Sequence, residues 1–565
     1  MSEPQEQMME PGQILPTDIL IPGLDPGIAV VDSGRAPWCA REPAAIGGVA
    51  LCADPAEREA ARAFFAQYMR QGRFSQAIEF DTLPAVAEGV ETDGRILSVR
   101  GKVLLNGPHG VRLRNRAIRA RDWAEGRGFD RRLAARLAEV AQRPEMDRPL
   151  PRADDLPKDM VIECRNGFNY YHMLTETLCH LCLAVEIGLR GRVRVHLPGD
   201  EVRGFVTAFT EALFPELHGR VEFIVGAGRY DRAVLALNTQ QLYFMCGAGM
   251  MPSLEEFAPR NPQWQDRRAD RAAYALLSLS SYDRDLRLLR ERGLRLAAGV
   301  GRALPRRIWI DRRPDLARPR PVENQEAVLE ALAPLGFERV CFEDFTPLEQ
   351  IALMARAEVV IMPHGAGMTN MLFARPEAVV MELSNLPTVR ARFGVFHPMA
   401  HVSGCRHVVV ALDHAAEAAA AVVPVRIGAV APLCDLVRAF LMPDSVSDPM
   451  GTAAHLREAG MVPDLMALAE AHPGIGRTDA EFLILRANLR AEAGDPRAAL
   501  QDLIAARNLL PARAALLERI IRLSNRIGAR QQAAEYLRLH ALTFRWRHDR
   551  FLQECPWLRG LSRGG

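Results

Sequence analysis

The chain has 565 residues, 48% of them apolar and 25% charged, which is enough for two to four domains with sizeable cores. A formal net charge of +2 gives no field of the kind that would draw the chain to nucleic acid or to an anionic membrane surface. No run reaches the roughly 18 uninterrupted apolar residues of a spanning helix. The ten cysteines follow no disulfide-like spacing, and the polar, acidic start has no apolar stretch behind positive charges. The expectation is a reduced, cytoplasmic protein without a signal peptide, with peripheral attachment at an inner membrane left open.

Residues 1–30 are rich in proline and glycine and read as a loose arm. From 30 to 150 short alternating runs (95–99, 103–105) predict small strands, and an arginine-rich stretch, 130–142, predicts a helix. The proline-rich segment 144–158 reads as a linker or surface loop. Apolar runs at 160–164, 193–197 and 221–225, separated by helical periodicity, predict an α/β domain. The Cys179-x-x-Cys182 pair lies on the first of these helices and has no second pair to complete a zinc site, so core packing is expected. Residues 252–300 read as mostly helical. A third series of strands is expected at 307–311, 340–342, 358–362, 378–383 and 407–410, with helices at 322–335 and 347–356. The stretch 411–425 reads as an alanine-rich helix interrupted by charges. Beyond 482 the pattern becomes helix, turn, helix with a period near 34, with Gly494 and Gly528 in the turns and small residues at Ala487, Ala498, Ala499, Ala533 and Ala534. This resembles tetratricopeptide repeats.

The stretch 358–384 is the most informative. A buried strand leads into His364-Gly365-Ala366-Gly367, a small-residue turn in which missing Cβ atoms let a ligand approach the backbone. A helix then opens with Thr369 and Asn370 in its first turn, where free N–H groups favour a phosphate. The next strand ends near Glu382. Such a βαβ unit binds ligands outside the carboxyl ends of its strands, where His364 falls. After the strand at 307–311, Arg312 and Arg313 offer forked donors for phosphate oxygens, and Arg320 and Asn324 follow. Asn169-x-Tyr171-His172-x-x-x-Glu176 places an imidazole and a carboxylate four apart on one helical face, suited to taking a proton from a hydroxyl. Asp283-Arg284-Asp285 has the spacing of a metal-binding DxD, but its helical period points the two carboxylates apart.

HGAGMTNMLFARPEAVVMEL resembles the HGAGLTN…ViEl signature of family 61 glycosyltransferases. Arg313 and Arg320-Pro-Val-Glu-Asn324 match that family's arginine block in order, with Glu and Asn transposed. Asn169 to Glu176 matches its N-x-[YF]-H-x-x-x-[DE] block. The resemblance covers about 160–410 and implies α/β architecture with two Rossmann-like lobes of GT-B type, followed by an all-α helical-repeat tail. The expected domains are an N-terminal arm and small mixed α/β region (1–150), an acceptor-side lobe (151–300), a donor-side lobe (301–445) and the helical tail (446–565).

The implied activity is inverting, metal-independent transfer of a sugar from a nucleotide-sugar, a co-substrate rather than a cofactor, to a hydroxyl of a glycan or lipid-linked glycan. Bacterial surface polysaccharide synthesis is the implied setting. Arg312, Arg313, Arg320, Asn324, Gly365, Ala366, Gly367, Thr369, Asn370 and Glu382 are expected on the donor, and Asn169 and Tyr171 on the acceptor side. Glu176 is preferred over His172 as base; His364 stays open as base or donor contact. No metal, nucleic acid or transmembrane segment is expected, and the tail would bind a protein partner or a second copy. Two other readings remain: a catalytically inactive nucleotide-sugar-binding scaffold acting through its tail, and a different α/β transferase or hydrolase with His364 as general base.

Overall fold

The computed structural model describes residues 14–31, 34–71, 74–94, 96–105, 127–142, 156–164, 169–197, 199, 201–240, 254, 256–257, 279–313, 322–414 and 425–561. Arg320 and much of 252–300 lie outside them, as does most of the expected linker. The chain divides into two compact units, Met1–Val430 and Ala431–Gly565.

The first unit is mixed α/β. One sheet runs in the order Val221–Val225, Val193–Leu197, Met160–Glu163, Gly228–Asn238, Thr82–Thr92, Leu97–Val99, Lys102–Val103, with Ile28–Val30 paired to Thr82–Thr92. Its first four strands are parallel, and Gly228–Asn238 then pairs antiparallel with Thr82–Thr92. A second sheet runs Val322–Glu323, Val425–Arg426, Arg406–His414, Val379–Asn385, Val359–Pro363, Arg307–Asp311, Glu338–Cys341. Its central strands are parallel and almost wholly buried, as expected where both faces of a sheet are covered. A small sheet joins Ser281–Asp283, Ala77–Phe80 and Trp38–Arg41.

Four expectations need correction. The described residues before 150 do not form a region of their own. Thr82–Thr92 is built into the first sheet, whereas Ile46–Ala50 pairs parallel with Arg406–His414 in the second. The arm before residue 30 is not loose where described: Ile14, Ile19 and Ile21 are buried with Val103, Leu105 and Leu133. The expected helix at 411–425 is strand at both ends, in Arg406–His414 and Val425–Arg426, because pairing continues there: Ala411 and Leu412 lie opposite Ser384 and Asn385, and Asp413 and His414 opposite Arg426 and Val425; 415–424 are outside the described residues. Asp283 and Asp285 do not diverge on one helix. Asp283 ends a strand and caps the helix Arg284–Ala297, accepting from the Asp285 amide, and both aspartates are buried.

Ile46–Ala50 packs against the helix Pro55–Gln71, and Gly48 makes room for the Phe65 ring. A Cβ at Gly48 would come within 2.2 Å of that ring. Gly48→Ala is expected to cost about 1–3 kcal/mol by overpacking, read as a lower urea midpoint. An unchanged midpoint would show that Phe65 swings aside freely.

The second unit is all-helical among its described residues. Ala480–Glu492 and Pro496–Leu509 form one hairpin, Ala514–Arg526 and Arg530–Thr543 the next, each helix starting 34 residues after its counterpart. Gly494 and Gly528 take φ of +81° and +82° in the turns, which only glycine adopts without strain. Ala487, Ala499 and Ala533 are buried where helices meet. No helix among the described residues is long and apolar enough to cross a membrane.

Candidate functional site

The strand Val359–Pro363 ends at His364, whose amide donates to the Leu383 carbonyl (2.9 Å). Gly365 is extended, and the helix that follows, Ala366–Phe373, is 3₁₀. A Cβ at Gly367 would press on Met362 (3.2 Å) and the Phe342 ring (3.5 Å), so this position favours glycine for close packing. The expected open helix start is partly closed. The Thr369 hydroxyl donates to the Ala366 carbonyl (2.7 Å), and Thr369 is fully buried, so it is an internal brace.

A cleft enclosing about 760 Å³, part of it open to solvent, lies at the carboxyl ends of Arg307–Asp311 and Val359–Pro363. Gly365, Ala366, Gly367 and Arg312 line one side. Tyr170, with Phe205 and Phe209 of the helix Gly204–Leu213, forms an aromatic wall on the other. That wall was not anticipated: Phe205 and Phe209 are four apart and read as the core face of an amphipathic helix. Asn370 joins the two sides. It accepts from the Tyr170 hydroxyl (2.5 Å), and its amide donates to Gln350 (3.2 Å), which in turn donates to the Phe342 and Phe345 carbonyls. Burial pushes the Tyr170 phenol up, so it donates as a neutral hydroxyl.

The arginine pair separates. Arg312 lines the cleft, where burial lowers its guanidinium from the ordinary value and Glu343 opposes that; a guanidinium still stays charged. Arg313 does not line the cleft; it is half-exposed and pairs with Asp344. Asn324 is also away from it. At φ +56° its side chain bonds both backbone groups of Ile427, donating to the carbonyl (2.7 Å) and accepting from the amide (3.1 Å). Asp311 beside Arg312 is engaged as well. Burial would raise its carboxyl, but Gln325, the Arg312 amide and Arg339 hold it low.

On the helix Tyr170–Glu176, Asn169 is the N-cap, accepting from the Tyr171 amide (3.0 Å). His172 Nδ1 bonds Glu176 Oε1, as the four-residue spacing predicts. Tyr171 lies edge-on to both His172 and Phe396, and the His364 ring lies against Phe396 from the other strand end. Glu382 does not line the cleft. It is buried between two histidines, with Oε1 on His364 Nδ1 (2.5 Å) and Oε2 on His407 Nε2 (3.0 Å). Burial alone would raise this carboxyl, but the two imidazoles bring it down to about 2. Glu382 therefore orients His364. In the sheet register Glu382 lies opposite Met362 and Val409, and His364 and His407 each reach it from two residues away along their own segments, on the same face.

No curated protein matches the chain. Residues 170–381 match the family model described as Glycosyltransferase 61, a span that contains every residue lining the cleft together with His172, Glu176 and His364. Over this central part the chain is therefore similar to glycosyltransferase family 61.

Proposed function

We propose that the protein transfers a sugar from a nucleotide-sugar to a hydroxyl of a glycan or other acceptor, with inversion and without a metal in the transfer step. The observation that carries this is the cleft itself, with a guanidinium and a glycine-lined turn on one side and a His–Glu pair on the neighbouring helix. Arg312 and the Gly365–Gly367 backbone receive the departing diphosphate, whose charge they neutralise as it develops. Glu176, oriented by His172, accepts the hydroxyl proton. The helices on the first sheet face the acceptor and the second sheet holds the donor, in a two-lobed GT-B-type arrangement. The repeated hairpins after 480 are a tetratricopeptide-like surface for a partner. A bacterial, cytoplasmic enzyme of surface polysaccharide synthesis fits this reading.

The test is nucleotide release from UDP-, GDP- and CMP-sugars by the purified chain, without and then with added Mn²⁺. Release from one donor without Mn²⁺ supports the proposal. A strict need for Mn²⁺ overturns the metal-free step, and binding without turnover on any acceptor favours a scaffold. Within this assay Arg312→Ala is expected to raise the donor KM about 10- to 100-fold, the value of charged hydrogen bonds to phosphate. Arg313→Ala is expected to change it less than about twofold, because it removes only an exposed ion pair. The reverse ranking would move the diphosphate away from Arg312.

A further inference from the structure

A second chemical cluster lies away from the cleft, where the strand Ser281–Asp283 meets the helix Arg284–Ala297. Donor atoms of Cys179, His180 and Asp283 lie within 4.8 Å of one another, and all three residues are buried. The Cys179 thiol donates to the Thr175 carbonyl (3.2 Å), a proton that would leave on binding a metal. Asp283 accepts from the Thr82 hydroxyl (2.8 Å), the Asp285 amide (2.8 Å) and the Asn238 amide group (2.5 Å). His180 Nδ1 bonds Asp285 Oδ2 (2.9 Å), the outer carboxylate that holds a metal-bound histidine in orientation. Asp285 is completely buried, and its other oxygen, Oδ1, has no hydrogen-bond partner.

The charges around this cluster do not balance. Two buried carboxylates face one imidazole. The guanidinium of Arg284 is directed at Glu186 (2.8 and 3.0 Å) and stands 3.7 Å from Asp81. An uncompensated buried charge is costly, and a divalent ion would supply what is missing.

We propose that Cys179, His180 and Asp283 bind a zinc ion, with Asp285 as the outer carboxylate. The mixed thiolate, imidazole and carboxylate donors suit zinc and disfavour magnesium, calcium or manganese. The role is structural: through Thr82 and Asn238 the ion ties the first sheet to the helix Arg284–Ala297. None of its residues lines the cleft.

The experiment is elemental analysis of the full-length chain after gel filtration, together with thermal unfolding with and without a zinc chelator. The expected result is about one zinc per chain and a lower unfolding midpoint on chelation, restored by added zinc. Cys179→Ser and His180→Gln lose the zinc. Asp285→Asn retains it with about 10- to 100-fold weaker affinity, read by competition with a chromophoric chelator. Cobalt in place of zinc gives a thiolate-to-metal absorption band that is absent from Cys179→Ser. If these variants fail to fold, the wild-type zinc content and midpoints decide alone. A folded chain with no zinc and a midpoint indifferent to chelator and zinc overturns the proposal, as does full occupancy by a different metal.

Discussion

Glu176→Gln is expected to lower sugar-transfer turnover by about 10²- to 10⁴-fold, the range of a positioned general base, with little change in donor KM. Glutamine keeps the volume of the largely buried side chain and its reach to His172 Nδ1, so packing on the helix Tyr170–Glu176 is preserved. What it loses is the ability to take up a proton. His172→Asn is expected to cost less, because His172 orients Glu176 and is itself replaceable as a donor. The measurement is kcat and donor KM for both variants against the same acceptor. Full turnover in Glu176→Gln would remove it as base and leave His364 as the candidate.

The largest effect on stability is expected from Glu382→Gln, about 3 kcal/mol at pH 7. The carboxyl sits at about 2 against an ordinary 4.5, and that separation corresponds to about 3 kcal/mol of stabilisation. Because the folded value is depressed, the contribution is complete above pH 4.5 and disappears as pH falls towards 2. Wild-type stability is therefore expected to fall steeply across that window, and the variant to lack that part of the fall. Urea unfolding of both chains at pH 7 and pH 3 separates the cases. Parallel acid slopes would mean that Glu382 keeps an ordinary affinity for protons, and that His364 and His407 contribute little to holding it ionised.

Much of the α/β pattern was readable from short β-branched runs. Val359–Pro363 and Val379–Asn385 lie where the apolar pattern puts them, as does the turn at His364. Less could be read where a side chain's partner comes from a distant segment. Nothing local distinguishes Arg312 from Arg313; the difference arises because Asp344, on a neighbouring connection, captures the second. Asn324 and Thr369 have the right chemistry for a ligand, but backbone groups that the sequence does not reveal engage them. Phe205 and Phe209 illustrate the opposite case. An amphipathic period shows that a face is covered, without showing whether protein or ligand covers it. The cluster at Cys179 and Asp283 was read as two unrelated motifs because about 100 residues of sequence separate them; packing of the helix Arg284–Ala297 against Leu178–His180 brings them together.

The strand Ile46–Ala50 also sets an order of events during synthesis. Its parallel partner begins at Arg406, and Ile46 lies opposite His407. At about 5–20 residues per second a ribosome needs roughly 20–70 s to make the intervening chain. For that interval a wholly buried, apolar five-residue strand has nothing to pair with, although the strands that follow it can begin assembling the first sheet. The second sheet is completed last by one of the earliest segments made. Its closure is thus a long-range step that depends on Ile46–Ala50 staying unpaired with other chains until translation has passed His414.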